Sequence, residues 1–188
     1  MKEIEILVEL YDDFYKVKKV LDQYDFVGIK KVIDEYYYDP MRDDLKPDKN
    51  NKLYNCLRLR QKNDDFTITY KNDVYDEDKW LFSNEFETKI ESINIFKNIL
   101  AKLGFKKYIE INNTKYTYIY KKYEIVLEEV KDLGIFMEVE YCTDEDVDVK
   151  EIKEEINEFI NNLSINHSEE LNMGKPEMYL KKHHISIE

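Results

Sequence analysis

The chain has 188 residues, 43% hydrophobic and 37% charged with only 4 Gly and 3 Pro, a composition that suits one packed domain over residues 1–188 and excludes disordered, collagen-like and low-complexity architectures. Its formal net charge of −12 is spread along the sequence, which argues against a general nucleic-acid binder or an anionic-membrane binder, since both need a basic surface. No apolar run approaches the ~18 residues of a membrane span and the N-terminus lacks a signal-peptide h-region, so a cytoplasmic protein is expected.

In chain order, the opening stretch EIEIL alternates as a strand, with Glu3 and Glu5 on one face and Ile4, Ile6 and Val8 on the other. An amphipathic helix is predicted over Asp12 to Tyr24 behind an Asp cap, with Phe14, Val17, Leu21 and Tyr24 on its stripe. Strands follow at Ile29 to Tyr38, Leu53 to Lys62, Asp65 to Lys71 and Lys79 to Thr88. Between the first two of these, Asp39 to Lys52 is a polar loop with two prolines and is predicted to be the most mobile segment.

After Ser92 a second helix carries Phe96, Ile99, Leu100 and Leu103 and stops at Gly104. Further strands are predicted at Phe105 to Ile111, Thr114 to Tyr120, Tyr123 to Val130 and Ile135 to Tyr141. Breaks at Asn63–Asp64, Lys121–Lys122 and Asp132 to Gly134 read as hairpin turns, so the pairing is antiparallel. A third helix spans about Asp148 to Leu163, and a shorter fourth lies near Lys175 to Lys182. Cys56 and Cys142 lie in strand-like runs with no CxxC or CxH spacing and are predicted to be small buried thiols.

Almost every strand has one ionic face. Arg58 and Arg60 share one, as do Thr67, Thr69 and Lys71, Glu85 and Glu87, and Glu138 and Glu140, with Lys115 and Glu128 on others. For any one strand the ordinary explanation is a half-exposed antiparallel sheet, polar side to water. About eight strands with helices on the apolar face are also enough to curl and close, which puts the ionic faces inside, where they must be paired, hydrated or bound to ligand. Paired carboxylates on adjacent strands are hard oxygen ligands for Mg2+ or Mn2+. Arg58, Arg60, Lys71 and Lys115 offer charge-assisted donors to phosphate oxygens. Together they describe a site for a metal-bound polyphosphate.

These stretches resemble the CYTH, or triphosphate tunnel metalloenzyme, superfamily, which includes class IV adenylyl cyclases, thiamine triphosphatases and tripolyphosphatases. EIEIL resembles its N-terminal ExExK; EYYYD at Glu35, then LRLR at Leu57 and ITYK at Ile68, is similar to its second to fourth strands; FETKIES is similar to its Glu-rich fifth strand; and LEEVKDLGIFMEVE, Leu127 to Glu140, resembles its most specific signature. The resemblance implies an α+β fold, an eight-stranded antiparallel β-barrel forming a triphosphate tunnel, with helices packed outside. It implies metal ligation by Glu3, Glu5, Glu128, Glu138 and Glu140, and catalytic roles for Glu5 and Lys71. Phosphate binding falls to Arg58, Arg60, Lys71 and Lys115, and Glu85 and Glu87 help to position those cations or the metal. Two positions depart from the pattern. Leu7 replaces the Lys of ExExK, removing one phosphate donor, and the basic pair of the sixth strand falls on Asn113 and Lys115, or on Ile111 and Asn113.

The expected activity is metal-dependent conversion of ATP to cyclic AMP and pyrophosphate. The alternatives are hydrolysis of tripolyphosphate, thiamine triphosphate or a nucleoside triphosphate, and binding of a nucleotide or polyphosphate without turnover. The expected partner is thus a triphosphate-containing small molecule, with a homodimer allowed for. Tyr36 to Tyr38, Trp80 and Phe82 are candidates to hold adenine, though core packing explains them more simply. Tyr179 lies in a segment similar to the family's C-terminal SY motif, and His183 and His184, with His167 upstream, are weak metal candidates against the plainer reading of an exposed tail pair.

Overall fold

The computed structural model describes residues 1–187, so Glu188, the last residue of the expected domain, lies outside the described residues. Eight strands form the frame: β1 (Lys2–Glu9), β2 (Asp25–Tyr38), β3 (Asn55–Lys62), β4 (Asp65–Asp76), β5 (Lys79–Lys89), β6 (Lys106–Tyr120), β7 (Tyr123–Val130) and β8 (Gly134–Thr143). Four helices accompany them: α1 (Phe14–Leu21), α2 (Ile93–Lys102), α3 (Val149–Asn161) and α4 (Lys175–Lys182). The strands close in the order β1-β5-β4-β3-β2-β6-β7-β8, and every pair is antiparallel. This is the expected eight-stranded barrel, with α1, α2 and α3 packed outside as expected and α4 covering one end.

Local chemistry explains the elements. Asp13, Ser92 and Asp148 each cap a helix by accepting a backbone N–H of the first turn. Asn63, Lys121 and Asp132 take positive φ values of 55°, 55° and 61° at the three predicted hairpins. Because successive strand residues face opposite sides, Ile4, Ile6 and Val8 join Ile125 and Val139 outside the barrel, under Val17 and Leu21 of α1 and Ile152 and Ile156 of α3. On another part of the wall, Leu100 of α2 packs with Tyr37, Leu57 and Leu59.

One expectation changes. The stretches Phe105–Ile111 and Thr114–Tyr120 are one strand, β6, so nine candidate strands become eight. The Asn112–Asn113 dipeptide does not turn the chain. Instead Asn113 stays in register opposite Val130 and its side-chain amide donates to Glu128 at 3.0 Å. The two-proline loop is anchored by Leu45, 2% exposed, and by Leu53, whose backbone N–H donates to the Glu177 carboxylate at 2.8 Å.

The inner face changes character along the axis. At one end Leu7, Tyr36, Ile111 and Phe136 meet Leu180 of α4, which plugs the barrel. The other end, where β1 begins and β3 and β8 finish, stays open and is lined by Lys30, Lys62, Glu124 and Cys142. Among the described residues no helix is long and apolar enough to cross a membrane.

Candidate active site

Between the plug and the open mouth lies a cavity of about 300 Å³. Glu3, Glu5, Arg58, Arg60, Lys71, Glu85, Glu87, Lys115, Glu138 and Glu140 all line it, so nearly every residue singled out in the sequence converges there. The register explains why: Glu3 faces Cys142 across β1–β8 and Glu5 faces Glu140, while Lys71 faces Glu85 across β4–β5.

The cations are held in place by carboxylates. Lys71 donates to Glu3 at 2.6 Å and lies 3.4 Å from Glu85 and 3.9 Å from Glu5. Arg60 forks onto Asp34 at 2.7 and 2.8 Å. Arg58 donates to Thr69 at 3.1 Å and lies 3.6 Å from Glu87, but its buried Nε has no partner. Lys115 reaches Glu138 at 3.1 Å and Glu128 at 3.7 Å.

Charged residues of the cavity that were not picked out from the sequence include Lys30, Lys62, Asp73, Glu124, Lys175 and Glu177, and Asp34 lies behind the lining as the partner of Arg60. Asp34 and the pair Lys30 and Lys62 continue the inward alternation of β2 and β3, a signal that was available. Lys175, at the start of α4, inserts its ammonium between Glu128 and Glu138, and only its position in the tertiary fold reveals it.

Burial works against every one of these charges, and the neighbours decide the outcome. It would raise Glu3, yet Lys71 outweighs it and holds that carboxyl down at about 2. Glu5, equally buried, stays well above the ordinary carboxylate range because Glu3 and Glu138 reinforce burial against Lys71. Burial, with Glu3, Glu138 and Glu124 nearby, pushes Glu140 up to about 8. Burial of Asp34 is overcome by Arg60, which holds it at about 2 against an ordinary 3.8. A depressed carboxylate stabilises the fold above its unfolded value, so this pair contributes on the order of 2 kcal/mol at neutral pH and loses it as pH falls from roughly 4 to 2. A carbon-13 NMR titration of the Asp34 carboxyl should show its midpoint near 2, and a midpoint near 4 would contradict the pairing.

Among the described residues Glu5, 6% exposed, accepts no hydrogen bond, and the cavity lining carries nine acidic side chains against seven basic ones. Glu5 and Glu140 are carboxyls whose charged form is disfavoured for want of enough neighbouring positive charge, and the all-oxygen set Glu3, Glu5 and Glu140 suits a hard divalent cation. Among the described residues, one group of three ligand atoms from His, Cys, Asp and Glu converges within 4.8 Å: Glu3, Glu140 and Cys142. Cys142 is therefore exposed at the mouth and not the buried thiol expected, and Cys56 is half-buried. Glu128, fully buried, accepts from Asn113 and Lys175, and so lies behind the lining.

Among the described residues His167, His183 and His184 join no such group, and Tyr179 lies against His183 in a tilted pair with ring centroids 4.2 Å apart. The adenine candidates scatter. Tyr36 and Trp80 line the plugged end, Tyr37 packs under α2, Tyr38 meets Tyr108 and Phe82 packs outside.

A closed eight-stranded barrel whose bore is lined by paired cations and carboxylates defines a charged tunnel protein. The chain belongs to the CYTH family, whose domain model matches residues 1–171. A Methanocaldococcus jannaschii protein named a "putative adenylate cyclase" is 31% identical over 110 residues, 58% of this chain and 62% of that protein, so the match spans about three fifths of that relative. A Pyrococcus horikoshii structure superposes with a TM-score of 0.77 at 24% identity, covering 95% of this chain and 99% of that one. A Hippeastrum structure, described as a "putative adenylyl cyclase" with a dominant triphosphatase activity, gives 0.65 at 15% identity over 100% and 98% of the two chains.

Proposed function

We propose that the protein is a metal-dependent triphosphatase that admits a triphosphate through the open mouth and cleaves its terminal phosphate. The observation that carries this reading is the half-buried set Arg58, Arg60, Lys71 and Lys115 around one cavity, with the buried Arg58 Nε left unpaired for a ligand oxygen among the described residues. A hydrolase reading fits better than a cyclase because the rings that could hold a base, Tyr36 and Trp80, sit at the plugged end, whereas the mouth lining at Lys30, Lys62, Glu124 and Cys142 has no aromatic side chain.

Glu3, Glu5 and Glu140 would hold Mg2+ or Mn2+, which when bound neutralises phosphate charge and makes water a better nucleophile. Arg58 and Arg60 bind and orient the phosphate chain, and Lys71 and Lys115 stabilise the charge that builds on the departing diphosphate. Lys175 adds a cation from the plug. Glu85 and Glu87 hold Lys71 and Arg58 in their working rotamers, and Glu128 and Glu138 do the same for Lys115 and Lys175.

Purified protein incubated with tripolyphosphate, ATP or thiamine triphosphate and either metal should release orthophosphate, separated by chromatography from the shortened chain. Cyclic AMP with pyrophosphate would establish a cyclase instead. Binding without product would leave a noncatalytic module. Glu5→Gln, which keeps the shape and removes the charge, should shift the Mg2+ needed for half-maximal turnover upward by at least about tenfold while leaving thermal unfolding nearly unchanged. Unaltered metal dependence in that variant would remove Glu5 from the ligand set.

A further inference from the structure

The cations of the tunnel fall into two classes. Arg58, Arg60, Lys71, Lys115 and Lys175 each have a carboxylate within ion-pairing distance. Among the described residues, Lys30 and Lys62 line the same tunnel and have none, although each is half-buried. They are also neighbours. Lys62 lies opposite Val32 on β2, two residues from Lys30 on the same face, and Lys30 lies directly opposite Lys115 on β6. Like charges across adjacent strands repel, and partial burial removes the water that would screen them.

We propose that Lys30 and Lys62 form an anion subsite at the open mouth that takes a further phosphate beyond the three held inside, making a linear inorganic polyphosphate of four or more phosphates the preferred ligand. This inference rests on the reading of the tunnel as a polyphosphate site. Arg58, Arg60 and Lys62 project from one face of β3 at steps of about 7 Å, so the subsite extends an existing cationic row toward solvent. Burial, with Lys30 and Arg60 beside it and Glu124 opposing them, draws Lys62 down to about 8, the direction expected of a cation short of an anion. A neutral nucleoside leaving the tunnel at this point would gain nothing from two ammonium groups, and the thiazolium of thiamine would be repelled by them. A fourth phosphate answers both charges.

Calorimetric titration of the full chain with tripolyphosphate and tetrapolyphosphate, each in Mg2+, tests the subsite. The wild type should bind the tetramer about tenfold more tightly, and Lys30→Gln/Lys62→Gln should bind the two chain lengths within about twofold. The double variant should keep its tripolyphosphate affinity within about threefold and melt no lower than wild type, since it loses a repulsion and no ion pair. Equal affinities in the wild type, or a preference that survives in the double variant, would overturn the subsite while leaving the tunnel reading intact. Failure of the wild type to bind either chain would overturn both.

Discussion

Lys175→Met is expected to lower triphosphate turnover by at least about 100-fold and the melting temperature by roughly 10 °C. The ammonium lies between Glu128 and Glu138, 0% and 6% exposed, and is itself 8% exposed. Burial would strip its proton, but Glu128 and Glu138 outweigh burial and hold it well above the ordinary lysine range. Removing it leaves two carboxylates facing each other with only Lys115 and Asn113 to answer them, and an uncompensated buried charge costs about 3–5 kcal/mol.

A loss of packing at the plug would mimic the thermal effect, so a second variant separates the causes. Lys175→Met with Glu128→Gln removes the charge together with one carboxylate and should recover at least half of the lost stability, while turnover stays low because the cation facing the phosphates is still missing. A double variant as unstable as the single would show that Lys175 acts through packing alone. A single variant with undiminished turnover would remove the plug from the catalytic machinery.

Strand chemistry made the fold legible in the sequence. Period-two alternation marked the walls, and the turn residues marked the hairpins. The gap between the two strands expected at Phe105–Ile111 and Thr114–Tyr120 closes because residue type alone does not reveal an amide recruited into the strand by a buried carboxylate 15 positions away. The inner face was legible wherever two like charges repeated at i and i+2, as in Glu3 and Glu5 or Arg58 and Arg60. Asp34 was passed over beside Glu35, although the alternation Val32, Asp34, Tyr36 turns the first inward and leaves Glu35 to pair with Lys97 and Lys107 outside. Lys175 was illegible for a different reason. It lies on a helix beyond the matched residues 1–171 and enters the tunnel end-on, so no strand period announces it.

That geometry also reinterprets Leu7. Read in sequence, it is a lost phosphate donor, and replacing it with Lys ought to improve the tunnel. In the folded chain Leu7 is 2% exposed, packed with Tyr36, Phe136 and Leu180, and directly opposite Glu138 across β1–β8. Glu138 already receives Lys175, and we propose that α4 thereby supplies the cation that the resemblance places on β1. Leu7→Lys alone should therefore destabilise the protein by roughly 2–4 kcal/mol, because it places another ammonium in an apolar corner whose carboxylates are taken, and turnover should not rise. In the Lys175→Met background the same substitution should instead stabilise the protein and restore part of its turnover, since Glu138 then lacks that partner. Urea unfolding of wild type, both single variants and the double variant measures the coupling, which should exceed about 2 kcal/mol in favour of the double. Additive effects would mean that the two positions serve different carboxylates and that α4 does not replace the lost lysine.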